Sequence, residues 1–164
     1  MRYRPYNPDD FAALYAIEEL CFRRPQRFSR RLMRRLLANA DSAAWIAEQD
    51  GAMAGFALVE WECTEDGFVA AYLETIELLP GFRGQGAGAE LLRCCLRSAQ
   101  AAGAELLWLH AEVRNAAALR LYERFGFAQI DREENYYGRD RSALILSLAV
   151  ERTGTPAADK NGEA

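Results

Sequence analysis

Six consecutive residues, Arg83, Gly84, Gln85, Gly86, Ala87 and Gly88, form the part of this 164-residue chain best suited to hold a ligand. They stand between an extended apolar run at 72–79 and an amphipathic helical run that starts at Ala89. Three glycines at alternate positions let the backbone approach a ligand with no Cβ in the way. Their N–H groups, with the positive end of the following helix, make an anion cradle. Arg83 adds a fixed cation suited to phosphate oxygens. Strand, glycine loop and helix in this order predict a pyrophosphate site.

Three readings of the loop stand at this point. Gly84 to Ala89 fits the dinucleotide pattern G-x-G-x-x-[GA], which should follow a strand directly and precede an acidic residue by about 20 positions. Here Pro80, Gly81, Phe82 and Arg83 intervene. Arg83, Gly86 and Gly88 also spell R-x-x-G-x-G, the loop that holds the pyrophosphate of coenzyme A in the GNAT acetyltransferase superfamily, which this segment resembles. A glycine turn without a ligand is the third. A Walker A loop is excluded, because no Gly-Lys-Ser/Thr follows.

The elements that must position this loop read clearly. Asn7 and Pro8 start a helix that runs to about Cys21, and Ser29 caps a second to about Asn39. Residues 43–48 and 54–63 read as strands joined by a turn at Asp50 and Gly51. The strand that leads into the loop follows. Gly88, Leu91, Leu92, Cys95, Leu96 and Ala99 lie at helical spacing, and Gly103 ends that helix. A strand at 106–112, a helix at 115–125 stopped by Gly126, and strands near 128–135 and 143–150 complete the order β-α-α-β-β-β-α-β-α-β-β. A crossover helix around the loop requires one parallel pair, whereas hairpins require antiparallel ones. The expected fold is α/β (mixed α+β): a mostly antiparallel sheet of about seven strands with helices on both faces. Three strands in a row before the loop argue against a doubly wound dinucleotide fold.

Length and composition allow one domain, expected at 1–150, with a tail at 151–164 expected to be disordered. The net charge is −4 and Lys160 is the only lysine, so nineteen of the twenty basic residues are arginine. Cys21, Cys63, Cys94 and Cys95 show no CxxC spacing and read as buried, reduced thiols. With one histidine in the chain, no metal site is expected. No signal region and no run of 18 apolar residues is present, so a soluble cytoplasmic protein without membrane contact is expected.

The resemblance becomes specific at a second segment. Asn115, Ala118, Leu121, Tyr122, Gly126 and Phe127 match N-x-x-A-x-x-L-Y-x-x-x-G-F, the other GNAT signature, and Asn115 stands 29 residues after Gly86. Within the superfamily the chain is most similar to protein N-terminal acetyltransferases. It shares N-A-A-A, L-Y-E and N-Y-Y runs with the bacterial enzymes that acetylate ribosomal-protein alanine, and Leu109, His110 and Asn115 with the eukaryotic pattern L-H-x-x-x-x-N. Tyr72, Leu73 and Glu74 also resemble the Y-[IL]-E of aminoglycoside N-acetyltransferases.

The resemblance implies an enzyme that uses acetyl-CoA, with these roles. Gly84, Gln85, Gly86, Ala87, Gly88 and Ala89, with Arg83, would hold the pyrophosphate. The strand before the loop would splay from its neighbour, so that the backbone of Ile76 and Leu78 binds the pantetheine arm and the thioester oxygen. Asn115 would reach the cofactor, and Tyr122 would be the general acid beside the sulfur. The bacterial enzymes have a glutamate where this chain has His110. The eukaryotic pattern makes the histidine a base assisted by a tyrosine that aligns with Tyr72. Glu77 and Glu74 are rival bases, and strand parity sets them on opposite faces unless a bulge intervenes. Tyr136 and Tyr137 would lid the acceptor.

The expected partners are acetyl-CoA and a peptide or protein N-terminus, with a small or aminoglycoside-like amine as the alternative acceptor and a homodimer as an open expectation. A second class of reading, a non-catalytic module that binds acyl-CoA or contacts RNA, draws on Arg30, Arg31, Arg34 and Arg35, which share one helix face. A solvated face explains them as well, and no specific nucleic acid is expected.

Overall fold

The computed structural model describes residues 1–23 and 26–151; the expected tail lies outside them from residue 152 onward. Seven strands, β1 (Arg2–Pro5), β2 (Ser42–Gln49), β3 (Ala52–Cys63), β4 (Val69–Leu78), β5 (Leu106–Glu112), β6 (Ala128–Glu133) and β7 (Ala143–Ala149), form one sheet. Their order across it is β1-β2-β3-β4-β5-β7-β6. Only β4 and β5 run parallel. The helices are α1 (Phe11–Cys21), α2 (Arg30–Ala38), α3 (Ala87–Ala101) and α4 (Ala116–Arg124). Fold and element order are those expected, and the differences are local.

Alternation along the central strands builds a core on each face. Leu14, Tyr15 and Ile17 of α1 and Met33 and Leu36 of α2 pack on Ile46, Phe56 and Leu58. Leu91, Leu92, Cys95 and Ala99 of α3 and Tyr122 of α4 pack on Ala57, Val59, Leu73, Leu107 and Leu109. Burying a side chain of this size stabilises the fold by about 1.5–3 kcal/mol. The strands can come this close only because position 55 is glycine: a Cβ there would lie 2.2 Å from the Glu77 carbonyl oxygen.

The first helix begins later than its cap suggested. Asn7 and Asp10 exchange a capping box around a 3-10 turn at Pro8–Asp10, and α1 starts only at Phe11. Asp10 also takes two hydrogen bonds from Arg4, at 2.7 and 2.9 Å, which ties that turn to β1. β4 starts at Val69. β6 stops at Glu133, before the turn in which Asn135 adopts a left-handed φ of 56°. All four cysteines are free, but only Cys94 and Cys95 are buried; Cys63 is exposed at the end of β3 and Cys21 is half-buried. Two arginines of the α2 face lie over aromatic rings of α1, Arg30 on Tyr15 at 4.5 Å and Arg34 on Phe11 at 4.3 Å. Among the described residues no helix is long and apolar enough to cross a membrane.

Candidate active site

The site follows from a failure of strand pairing. β4 and β5 are paired only over Ala70–Leu106, Ala71–Leu107 and Tyr72–Trp108. Beyond Tyr72 each strand keeps its outer partner, β4 with β3 as far as Leu78 and β5 with β7 as far as Glu112. The inner edges therefore part in a V, and among the described residues no pairing joins the two strands beyond Tyr72–Trp108. A cavity of about 690 Å³ fills the V, lined among others by Tyr72, Glu74, Ile76, His110, Asn115 and Tyr122.

Side-chain alternation delivers chemistry to this V from both faces of the sheet. Leu109 and Ala111 turn into the α3 core, so His110 faces the α1 side. There the Tyr72 hydroxyl lies 2.9 Å from His110 Nδ1. Glu133 Oε2 stands 3.3 Å from His110 Nε2. A carboxylate beside Nε2 places the imidazole proton there, and Nδ1 then accepts from the Tyr72 hydroxyl. Tyr136 stacks on the imidazole at 4.0 Å with 2° between the ring planes, and the Tyr137 hydroxyl donates to the His110 carbonyl at 3.1 Å. The side chain is left 9% exposed. Burial, followed by the neighbouring Tyr136, pushes the Tyr72 phenol well above its usual range.

Tyr122 enters from the opposite face. It is 8% exposed and packs edge-on against Phe127 at 5.5 Å. Burial is the main cause that raises its phenol above the ordinary value. Such a group stays protonated through the neutral range and can donate a proton there.

The carboxylates of β4 are rearranged by a bulge. Leu58 pairs with Thr75 and Val59 with Leu73, so Glu74 has no partner across β3. Ala71 and Leu73 face the α3 core before this extra residue, and Ile76 and Leu78 face it afterwards. Glu74 and Glu77 thus both turn to the α1 side, whereas simple parity would separate them. Only Glu74 lines the cavity. Glu77 is 2% exposed beneath α1, where burial and then Glu18 push its carboxyl well above the usual range. It accepts from Thr75 Oγ1 at 2.9 Å.

The glycine loop has the geometry of a cradle. Gly84 and Gly86 hold φ of 72° and 87°, which only glycine adopts freely, and Gly86 caps α3. Among the described residues the N–H groups of Gly84, Gly86, Ala87, Gly88 and Ala89 make no hydrogen bond within the chain. They fit a pyrophosphate at the helix N-terminus. Arg83 does not stand over the loop: its Nε donates to the Leu78 carbonyl at 2.9 Å. Gln85 turns back to the Gly81 carbonyl. Asn115 uses its Oδ1 to cap α4 through Ala118 N at 3.2 Å and lines the cavity.

Two loops meet at the cavity. Gln26, after α1, donates through Nε2 to the Tyr137 carbonyl on the β6–β7 turn at 2.5 Å. Arg141 closes the same turn with a bidentate pair to Glu112 at 2.8 and 2.7 Å. Sequence reasoning missed Glu18, Glu133, Gln26 and this pair. Glu18 alone left a local signal, an acid four residues after Leu14 on the apolar face of α1. The others meet residues 23 to 111 positions away, and no local pattern marks them.

Comparison with known proteins follows this geometry. The profile described as Acetyltransferase (GNAT) family matches residues 11–127. Streptothricin acetyltransferase of Streptomyces lavendulae is 40% identical over 55% of the chain and 47% of its own length. The ribosomal protein bS18-alanine N-acetyltransferase of Escherichia coli K12 is 35% identical over 62% of the chain and 68% of its own length. The chain thus spans about half of the former and two thirds of the latter. The crystal structure of the E. coli ribosomal-protein-S18-alanine N-acetyltransferase superposes with a TM-score of 0.77 at 27% identity, covering 96% of this chain and 98% of that one. Arabidopsis thaliana NAA60 in complex with acetyl-CoA superposes with a TM-score of 0.80 at 20% identity, covering 91% and 98%, and shares the fold.

Proposed function

The chain belongs to the GNAT acetyltransferase family, and from that premise we propose that it moves an acetyl group from acetyl-CoA to a primary amine, in the first instance the N-terminal α-amine of a peptide or protein. The observation that carries this reading is the Tyr72–His110 pair at the apex of the V, with Tyr122 entering the same cavity from the other face.

When bound, acetyl-CoA would supply the acyl group as a thioester. The N–H groups of the glycine loop would hold its pyrophosphate, and the edge of β4 at Ile76 and the Leu78 N–H would pair with the amide-bearing arm as an added strand. N–H groups on that edge would polarise the thioester carbonyl. An α-amine titrates near pH 8, so a modest acceptor suffices to make it neutral. The imidazole is covered by Tyr136 and bonded at both nitrogens, so the amine proton reaches His110 through the Tyr72 hydroxyl. Tyr122 donates to the departing sulfur.

The likeness to streptothricin acetyltransferase and the run Tyr72, Leu73, Glu74 support a second reading, a small amine as acceptor. Thiol release from acetyl-CoA with an N-terminal peptide panel and a panel of small amines separates the two. Absence of transfer to every amine, with coenzyme A still bound, would leave a non-catalytic acyl-CoA-binding module.

A further inference from the structure

Among the described residues one charged side chain bonds to the His110 ring, and it comes from the far edge of the sheet. Glu133 closes β6, and β7 lies between the two strands, with Ile145 opposite His110 and Ala143 opposite Glu133. Glu133 Oε2 reaches past that strand to 3.3 Å from Nε2. The contact joins two unlike surroundings. The His110 side chain is 9% exposed under the Tyr136 ring, whereas that of Glu133 is 51% exposed. The other charges of β5, β6 and the β6–β7 turn have partners of their own. Glu112 holds Arg141, Glu134 takes Arg132 and the Ser142 hydroxyl, and Asp131 accepts from the Arg132 N–H. From β4 the Tyr72 hydroxyl meets Nδ1, and from the turn the Tyr137 hydroxyl donates to the His110 carbonyl. Glu74 of β4 and Glu18 of α1 line the same cavity and make no bond to the ring.

Proton transfer through Tyr72 leaves His110 charged. An N–H bond of the amine breaks as the Tyr72 oxygen takes that proton, and the hydroxyl's own proton passes to Nδ1. Nε2 keeps its proton, so the ring becomes an imidazolium with an N–H on each side. A cation formed beneath Tyr136 has little water to solvate it, and an opposite charge within about 4 Å favours it instead. We infer that Glu133 is a positioning residue of this reaction: it holds the imidazole with Nδ1 toward Tyr72 and stabilises the imidazolium, and takes no proton itself. It lies outside the residues that line the cavity, so it acts through His110 and not on the acceptor or the cofactor. This rests on the acetyl-transfer reading above. With one member half in water the pair has a modest effect, about threefold to tenfold.

The test is Glu133→Gln, which keeps size and an acceptor oxygen but not the charge, beside Glu133→Asp, which keeps the charge. Glu133 stands half exposed on an edge strand, where such exchanges disturb a fold little. The acceptor is whichever member of the peptide and amine panels wild type acetylates fastest. On the plateau above the acidic limb of the pH profile, kcat/KM of Glu133→Gln should fall by about threefold to tenfold. The limb itself should move to lower pH by about half a unit to one unit, because an imidazolium without its carboxylate gives up its proton more readily. Glu133→Asp should recover most of both. A packing role would lower the rate and leave the limb in place, so an unmoved limb overturns the proposal whatever the rate. His110 is the only histidine of the chain, so nitrogen-15 labelling of histidine reports its protonation by NMR without turnover. The ring in Glu133→Gln should take up its proton at lower pH than in wild type, and equal titrations overturn the proposal as well. That displacement in a protein that acetylates no amine overturns the enzymatic reading instead, which tells the two failures apart.

Discussion

The hydroxyl of Tyr72 stands 2.9 Å from Nδ1 of His110, across the last rung that still joins the two parallel strands. This contact sets the apex of the V, and the hydroxyl faces the cavity while the imidazole behind it is covered by Tyr136. In the proposed mechanism Tyr72 would therefore be the group that meets the acceptor, with His110 acting through it.

A double-mutant cycle checks this. Tyr72→Phe and His110→Gln should each lower kcat/KM by about 10²-fold or more, and the double variant should be little worse than either, since groups that act as a unit are non-additive. Losses that multiply would show two independent roles. If His110→Gln keeps full activity, the histidine only positions the Tyr136 lid.

Tyr122→Phe removes a proton donor from a packed site and leaves the ring in place. Turnover and kcat/KM should fall together by roughly 10²-fold, while coenzyme A affinity, read by calorimetry, stays within about a factor of two or three. Unchanged turnover would make Tyr122 a packing residue.

Coenzyme A and acetyl-CoA should raise the melting temperature and NAD should not, because a ligand that binds only the native state stabilises it by mass action. Gly86→Ala should reduce that shift, since φ at 86 is 87° and an alanine there is strained. A shift with NAD alone would restore the dinucleotide reading of the loop.

Stability should fall as pH rises from about 5 to 9. Glu74 is raised from an ordinary 4.5 to about 8 in the folded chain, and Glu77 is raised as well. The folded state thus binds more protons than the unfolded one across that window, so this contribution is complete below about 4.5 and is lost as pH passes about 8. Thermal melts should show a shallower fall in Glu74→Gln and in Glu77→Gln, whose amides do not titrate. Slopes equal to wild type in both variants would refute the buried protonated carboxyls.

Gly55→Ala should destabilise the fold by about 3 kcal/mol, because its Cβ would press on the Glu77 carbonyl oxygen at 2.2 Å. Chemical denaturation measures it. A change below about 0.5 kcal/mol, the range of ordinary surface substitutions, would mean that β3 and β4 can separate there without cost.

The sequence by itself determined the glycine loop, the α3 helix behind it and the Asn115–Phe127 signature, because each is local. Positive φ demands glycine, a helix start exposes N–H groups, and helical spacing marks a core stripe wherever the helix packs. It also determined the mixed sheet, since a crossover helix implies a parallel pair. Only the tertiary structure decided which carboxylate faces the cleft. One unpaired residue at Glu74 turns Glu77 from the side that parity predicts to the side of α1, and no local pattern marks where pairing will slip. The same holds for Tyr72 and His110, 38 residues apart, and for Arg83, whose side chain turns to the Leu78 carbonyl instead of the loop mouth. Pairing register and strand splay are set by contacts between distant segments, so the identity of the groups that meet at the apex of the V exists only once the sheet has formed.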